Sequence, residues 1–192
     1  VESLTGGTGS DNIVMTESIT SGSFFDAGAG GLDRLTLHAG SSNSGTLVNF
    51  EFINGVAGSA EHLTLESTVE GTIFDFGNLS DGDSLQLANG GNIVVAKNIA
   101  TILGGDGDDA IGFIGATGNV SINGGDGVDS VVNSGSGASF FTLSHVENYI
   151  GLDGASDHVT LQTAMQSGDV FFGGGVNDND TLNLAGGLNT GT

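Results

Sequence analysis

Gly104-Gly105-Asp106-Gly107-Asp108-Asp109-Ala110-Ile111-Gly112 and Gly124-Gly125-Asp126-Gly127-Val128-Asp129-Ser130-Val131-Val132 carry the reading of the fold. A third stretch, Gly6-Gly7-Thr8-Gly9-Ser10-Asp11-Asn12-Ile13-Val14, has the same form. All three read G-G-x-G-x-D-x-U-x, where U is a large apolar residue. The glycines let the backbone turn tightly and reach positive φ, so that successive carbonyls can face one point. The Asp adds a charged oxygen at the end of the turn. The apolar residue two places on starts a strand and points into a core. Each nonapeptide therefore encodes half of an oxygen-lined cation site followed by a short strand.

The step Asp-x-apolar recurs along the whole chain. It occurs at Asp11/Ile13, Asp33/Leu35, Glu61/Leu63, Asp83/Leu85, Asp109/Ile111, Asp129/Val131, Asp157/Val159 and Asp180/Leu182, with apolar spacings of 22, 28, 22, 26, 20, 28 and 23. The longest step appears twice at equivalent places, which predicts a duplication. Direct comparison agrees: Thr46-Leu47-Val48-Asn49-Phe50-Glu51-Phe52-Ile53-Asn54-Gly55 matches Thr142-Leu143-Ser144-His145-Val146-Glu147-Asn148-Tyr149-Ile150-Gly151 at an offset of half the 192 residues. We read one solenoid over 1–192, made of two tandem four-coil repeats, approximately 1–96 and 97–192. Joining Thr192 to Val1 continues the pattern, so the expectation is one period of a longer array or a unit that stacks end to end.

Between the Asp-led strands lie further strands such as Phe24-Phe25, Ile73-Phe74-Asp75-Phe76, Ile93-Val94-Val95, Phe140-Phe141 and Val170-Phe171-Phe172. The turns before them are polar, as in Gly40-Ser41-Ser42-Asn43 and Gly115-Ala116-Thr117-Gly118. Alternation such as Leu35-Thr36-Leu37 and Leu182-Asn183-Leu184 has the period of two of strands with one buried face. The predicted fold is all-β: a parallel β-roll or β-solenoid of about eight coils, two strands per coil. Each coil would take an eighth of the 192 residues on average, with cation turns along one edge. At ~4.8 Å per coil the stack would be roughly 38 Å long, each coil burying its apolar face against its neighbours.

The nonapeptide resembles the calcium-binding repeat of the repeats-in-toxin (RTX) family. The resemblance implies calcium ions held between stacked turns by Asp carboxylates and loop carbonyls. Carried over residue by residue, it marks Gly7, Gly9 and Asp11; Gly28, Gly30 and Asp33; Asp83; Gly105, Gly107 and Asp109; Gly125, Gly127 and Asp129; Asp157; and Asp178 and Asp180. Asp81, Asp106, Asp126, Asp153 and Asp178 fall at loop x positions, where the family uses carbonyls. Some turns depart from the pattern. Gly28-Ala29-Gly30-Gly31-Leu32-Asp33 carries one extra residue, and Gly174-Gly175-Val176-Asn177-Asp178-Asn179-Asp180 is also stretched. Asp83 lacks the Gly pair. Glu61 follows Gly58-Ser59-Ala60 and is expected to be a weak or empty site.

Composition agrees with a cation-dependent chain. Arg34 and Lys97 stand against 23 acids, for a formal charge of −21. Like charges at this density oppose compaction, and eight calcium ions would bring +16 if each coil held one. The chain is expected to be loosely folded without calcium and ordered with it, which suits millimolar extracellular calcium and secretion, in the family by a type I system. Nucleic acid is excluded as a partner by the lack of a basic patch. No apolar run is long enough to span a membrane as a helix. Cys and Pro are absent, and the lack of Pro suits an unbroken ladder.

His62 and His158 are repeat equivalents read as surface positions. Glu51 and Glu147, also equivalents, are read either as calcium oxygens or as solvated strand residues. A cell-surface polysaccharide is a candidate partner of the Phe-rich steps, which are otherwise core stacks. No catalytic constellation is present, so no enzyme is expected. Two function classes follow. The first is a calcium-stabilised repeat unit of an extracellular filament, surface layer or adhesin stalk, associating end to end. The second is a folding and secretion module appended to a secreted enzyme or toxin.

Overall fold

The computed structural model describes residues 2–115, 118–152, 154–175 and 178–192. Within them the chain forms nineteen short strands: β1 (Ser3–Thr5), β2 (Asn12–Val14), β3 (Ser23–Asp26), β4 (Arg34–Thr36), β5 (Ser42–Val48), β6 (Phe52–Asn54), β7 (His62–Leu65), β8 (Glu70–Asp75), β9 (Ser84–Gln86), β10 (Ile93–Lys97), β11 (Thr101–Leu103), β12 (Ala110–Phe113), β13 (Asn119–Asn123), β14 (Ser130–Asn133), β15 (Ser139–Ser144), β16 (Asn148–Ile150), β17 (Asp157–Leu161), β18 (Val170–Phe172) and β19 (Thr181–Asn183). One 3-10 turn, Leu79–Asp81, interrupts them. Odd-numbered strands build a ten-stranded sheet and even-numbered strands a nine-stranded sheet. The paired strands run parallel. This is the all-β, parallel solenoid with two strands per coil that the repeats predict.

Alternation places the core. In the ten-stranded sheet, register stacks Leu63, Leu85, Ile102, Ile122, Leu143 and Leu161 inward. In the nine-stranded sheet it stacks Val94, Ile111, Val131 and Tyr149. All ten are buried. The Phe-rich steps divide between inside and outside. Phe141 packs edge-on against Phe113 with ring centroids 5.6 Å apart, while its neighbour Phe140 faces out and stacks on His158 at 4.7 Å.

Two features of the coil differ from the sequence reading. First, one winding is shorter than an eighth of the chain: Ser84 pairs directly with Thr101, and His158 with Thr181. The long Asp-to-Asp steps span one and a half windings, as from β4 to β7, so they overstate the coil. Second, the Asp-led strands do not share one sheet. Those after Asp11, Asp33, Asp109 and Asp129 are β2, β4, β12 and β14, in the nine-stranded sheet. Those at Glu61, Asp83, Asp157 and Asp180 are β7, β9, β17 and β19, in the ten-stranded sheet. The acidic turns therefore line both edges of the solenoid in alternating pairs, which corrects the single calcium edge. Asp153 and the pairs Ala116-Thr117 and Val176-Asn177, which the turn assignments include, lie outside the described residues.

The two outer faces differ in chemistry. On the ten-stranded sheet one register row runs Ser42, His62, Ser84, Thr101, Ser121, Thr142, Thr160 and Asn183. On the nine-stranded sheet one row includes Phe52, Ile73, Val95, Val132, Ile150 and Phe172. Both cations lie on this second face: Arg34 sits over the Phe52 ring at 4.8 Å, and Lys97 pairs with Asp75 at 2.7 Å.

Candidate functional site

The acidic residues that open the strands form ladders along the two edges. At the edge entering the nine-stranded sheet, the Asp11 N–H donates to Asp33 Oδ1 at 2.7 Å, and the Asp33 N–H to Glu51 Oε2 at 2.6 Å. Further along, the Asn92 N–H donates to Asp109 Oδ1 at 2.9 Å, the Asp109 N–H to Asp129 Oδ1 at 2.8 Å, and the Asp129 N–H to Glu147 Oε2 at 2.8 Å. At the opposite edge the Glu61 N–H donates to Asp83 Oδ1 at 2.7 Å and the Asp157 N–H to Asp180 Oδ1 at 2.9 Å. Each carboxylate thus spends one oxygen on the backbone of the coil before it. A carboxylate accepting an N–H is a strong, short hydrogen bond, and it fixes the register of the turns.

These bonds repeat along the chain. Asp33–Glu51 and Asp129–Glu147 are the same rung half a chain apart, and Glu61–Asp83 matches Asp157–Asp180. The Gly58 N–H donates to Asp81 Oδ2 at 2.7 Å, as the Gly154 N–H does to Asp178 Oδ2 at 2.8 Å. Asn49 and His145, also equivalent, both take positive φ, 60° and 49°.

The second carboxylate oxygens divide into two groups. Asp11 Oδ2 accepts the Gly7 N–H at 3.1 Å, and Asp109 Oδ2 the Gly105 N–H at 3.3 Å. Asp83, Asp129 and Asp157 each bury an Oδ2 with no hydrogen-bond partner, and Asp81 buries such an Oδ1. Burial without a counter-charge favours the neutral form. Burial first, then the side-chain contact with the Asp81 carboxyl and the Asp81 and Glu61 charges, push the Asp83 carboxyl up to about 7, against the Glu61 N–H. Burial, with Asp109 and Glu147 charges behind it, pushes Asp129 up to about 6, against the Asp109 N–H. Asp157 is raised by burial too, opposed by the Tyr149 hydroxyl beside it and the Asn133 amide. Unpartnered oxygens and raised carboxyls thus fall at the same positions, Asp83, Asp129 and Asp157.

The turns are also closely packed. A Cβ on Gly124 would run into the His145 carbonyl of the next coil and the Asp129 carboxylate. The same crowding holds at Gly104, between the Gly124 carbonyl and Asp109 Oδ2. Neither has a positive φ, so glycine is required here by the close approach of oxygens. These first glycines of each pair are not among the predicted site residues; their fixed place five residues before the Asp is the available signal. The predicted second and third glycines do use conformational freedom, with Gly107, Gly125 and Gly127 at φ 103°, 104° and 134°.

The predicted residues are brought together within turns and between stacked turns. The Asp11 and Asp33 turns bridge at Thr8 and Ala29, and the Asp109 and Asp129 turns at Asp106 and Asp126. In the stretched turn, the Gly28 N–H donates to Asp26 Oδ1 at 2.9 Å, Gly30 takes φ 82°, and Asp33 stays buried. Asp178 binds a neighbouring turn's N–H, as described above, apart from the Asp180 rung. Glu61 accepts from the Gly40 N–H at 2.8 Å and the Val56 N–H at 3.1 Å, so both its oxygens are satisfied. Glu51 and Glu147 prove to be ladder members. His62 and His158 hydrogen-bond Ser84 and Thr181 on the outer face at 2.6 and 2.7 Å.

Among the described residues no three His, Asp or Glu side chains converge on one point. A cation at these turns would be held by one or two carboxylates together with backbone carbonyls. That donor set is all oxygen, which suits a hard cation such as calcium. No family model, curated protein or solved structure matches the chain.

Proposed function

We propose that the chain is a calcium-stabilised structural solenoid, a repeat unit of an extracellular assembly such as a filament, surface layer or adhesin stalk. The observation that carries this reading is the pair of buried carboxylate oxygens left without hydrogen-bond partners at Asp83 and Asp129 in a chain of charge −21. Calcium would bind at the Asp-led turns in the manner of RTX repeats. Its charge would offset the burial that raises those carboxyls. The rungs repeated half a chain apart favour a two-unit array, and with it self-association of such units end to end. The same calcium requirement suits a protein that stays loose in low calcium and folds in the millimolar calcium outside the cell.

Sedimentation velocity and negative-stain electron microscopy in calcium and in chelator test the reading. The expected result is elongated or stacked particles in calcium and an expanded monomer in chelator. Order in calcium with a strictly monomeric particle would favour the appended folding module instead. A compact particle of the same size in both conditions would remove the calcium reading.

A further inference from the structure

Three turns in the same solenoid are closed by asparagine. In Gly90-Gly91-Asn92-Ile93-Val94 the amide stands where Asp stands in the Asp-x-apolar step. Asn92 is fully buried and belongs to the ladder: the Val69 N–H donates to its Oδ1 at 3.2 Å. That is the bond an Asp Oδ1 accepts elsewhere. Its Nδ2 then donates to the Ala88 carbonyl at 2.9 Å, the Gly90 carbonyl at 2.8 Å and Asp109 Oδ1 at 2.8 Å. The arrangement recurs at Asn189. The Met165 N–H donates to its Oδ1 at 3.0 Å, and its Nδ2 donates to the Ala185 and Gly187 carbonyls at 3.1 and 3.3 Å. At Asn43 the Ile19 N–H donates to Oδ1 at 2.9 Å, and Nδ2 reaches the Ser41 hydroxyl at 2.9 Å.

We propose that Asn43, Asn92 and Asn189 are built-in neutral substitutes for a bound cation. They divide the solenoid into turns that close without metal and turns that need it. This inference rests on the calcium reading above. The chemistry is direct. An amide offers one acceptor and two N–H donors, whereas a carboxylate offers acceptors only. The amide oxygen keeps the rung, and the NH₂ supplies the positive edge that inward-facing carbonyls and the Asp109 carboxylate require. A carboxylate at position 92 would face those same oxygens with nothing between them, and only a cation or a proton could relieve the repulsion, the cation alone leaving the carboxylate charged. Asn92 thus stands between the acidic rungs on either side of it as a calcium-independent clasp.

The test is Asn92→Asp in the full chain, with Asn189→Asp as a second variant in a less enclosed turn. Calcium chloride binding is measured by titration calorimetry, and thermal melting is followed in chelator and in calcium. Each variant is expected to bind one calcium ion more than the native chain. In chelator it should melt lower by on the order of 5 °C, with calcium restoring the loss. Native calcium binding with unchanged stoichiometry and unchanged melting in both variants would overturn this proposal alone. A native chain that binds no calcium would overturn the calcium reading and this proposal with it.

Discussion

Replacing Asp129 by Asn should stabilise the chain in chelator and weaken it in calcium. Asp129 is buried, accepts the Asp109 N–H at 2.8 Å through Oδ1, and leaves Oδ2 unpartnered. Its folded-state carboxyl is raised from 3.8 to about 6. A raised carboxyl contributes stability below its unfolded value, and that contribution is lost as pH rises through the folded value. At pH 7 without metal, the ionised form therefore works against folding. The rise corresponds to roughly 3 kcal/mol at ~1.4 kcal/mol per pH unit. Screening at the solenoid edge cuts this to about 1 to 2 kcal/mol. Asparagine keeps the Oδ1 acceptor and removes the charge. In chelator at pH 7, Asp129→Asn should raise Tm by about 3 to 6 °C for a domain of this size. In calcium the order reverses, because a bound ion at 100 times its Kd contributes about 2.7 kcal/mol to the native chain alone. Thermal melts followed by circular dichroism in both buffers decide the matter. A variant that is destabilised equally in chelator and in calcium would refute the reasoning, because Asp129 would then be a purely structural acceptor.

Asp83, raised to about 7, extends the same logic to pH. Metal-free protein should gain stability as pH falls from 7 toward 4, the reverse of ordinary acid unfolding. Urea midpoints in chelator measure it, and a monotonic loss over that window would contradict it. Gly124→Ala should cost about 1 to 3 kcal/mol or more, since the new methyl meets the His145 carbonyl and the Asp129 carboxylate. A urea midpoint unchanged from native in both chelator and calcium would count against the close approach.

The fold was legible because the repeat is written at two scales. The period-two alternation of Leu85-Gln86-Leu87 marks strands with one buried face, and the recurrence of Asp-x-apolar marks a repeated coil that stacks them in parallel. What the spacing hid was the half-winding. The long step from Leu35 to Leu63 looks like one extended coil, yet it crosses from β4 to β7 and carries the next acidic turn to the other edge. Only the register distinguishes one winding from one and a half. At the site, the Asp positions could be read because the nonapeptide marks them. Glu51 and Glu147 stayed open between a turn oxygen and a solvated strand residue, since a glutamate in Phe50-Glu51-Phe52 fits either. Their longer side chains reach the neighbouring N–H from turns that lack the glycine pattern. Asn92 was hidden for a related reason: a turn asparagine is common, and its contacts to the Ala88 and Gly90 carbonyls appear only in the folded chain.

The most direct measurement is far-ultraviolet circular dichroism of the chain during calcium titration and after removal by chelator, at low ionic strength and pH 7. Two edges of carboxylate ladders with orphaned oxygens predict β signal that appears with calcium and is lost on chelation. A β spectrum of full amplitude that is indifferent to chelator would contradict the claim that these turns are completed by a cation.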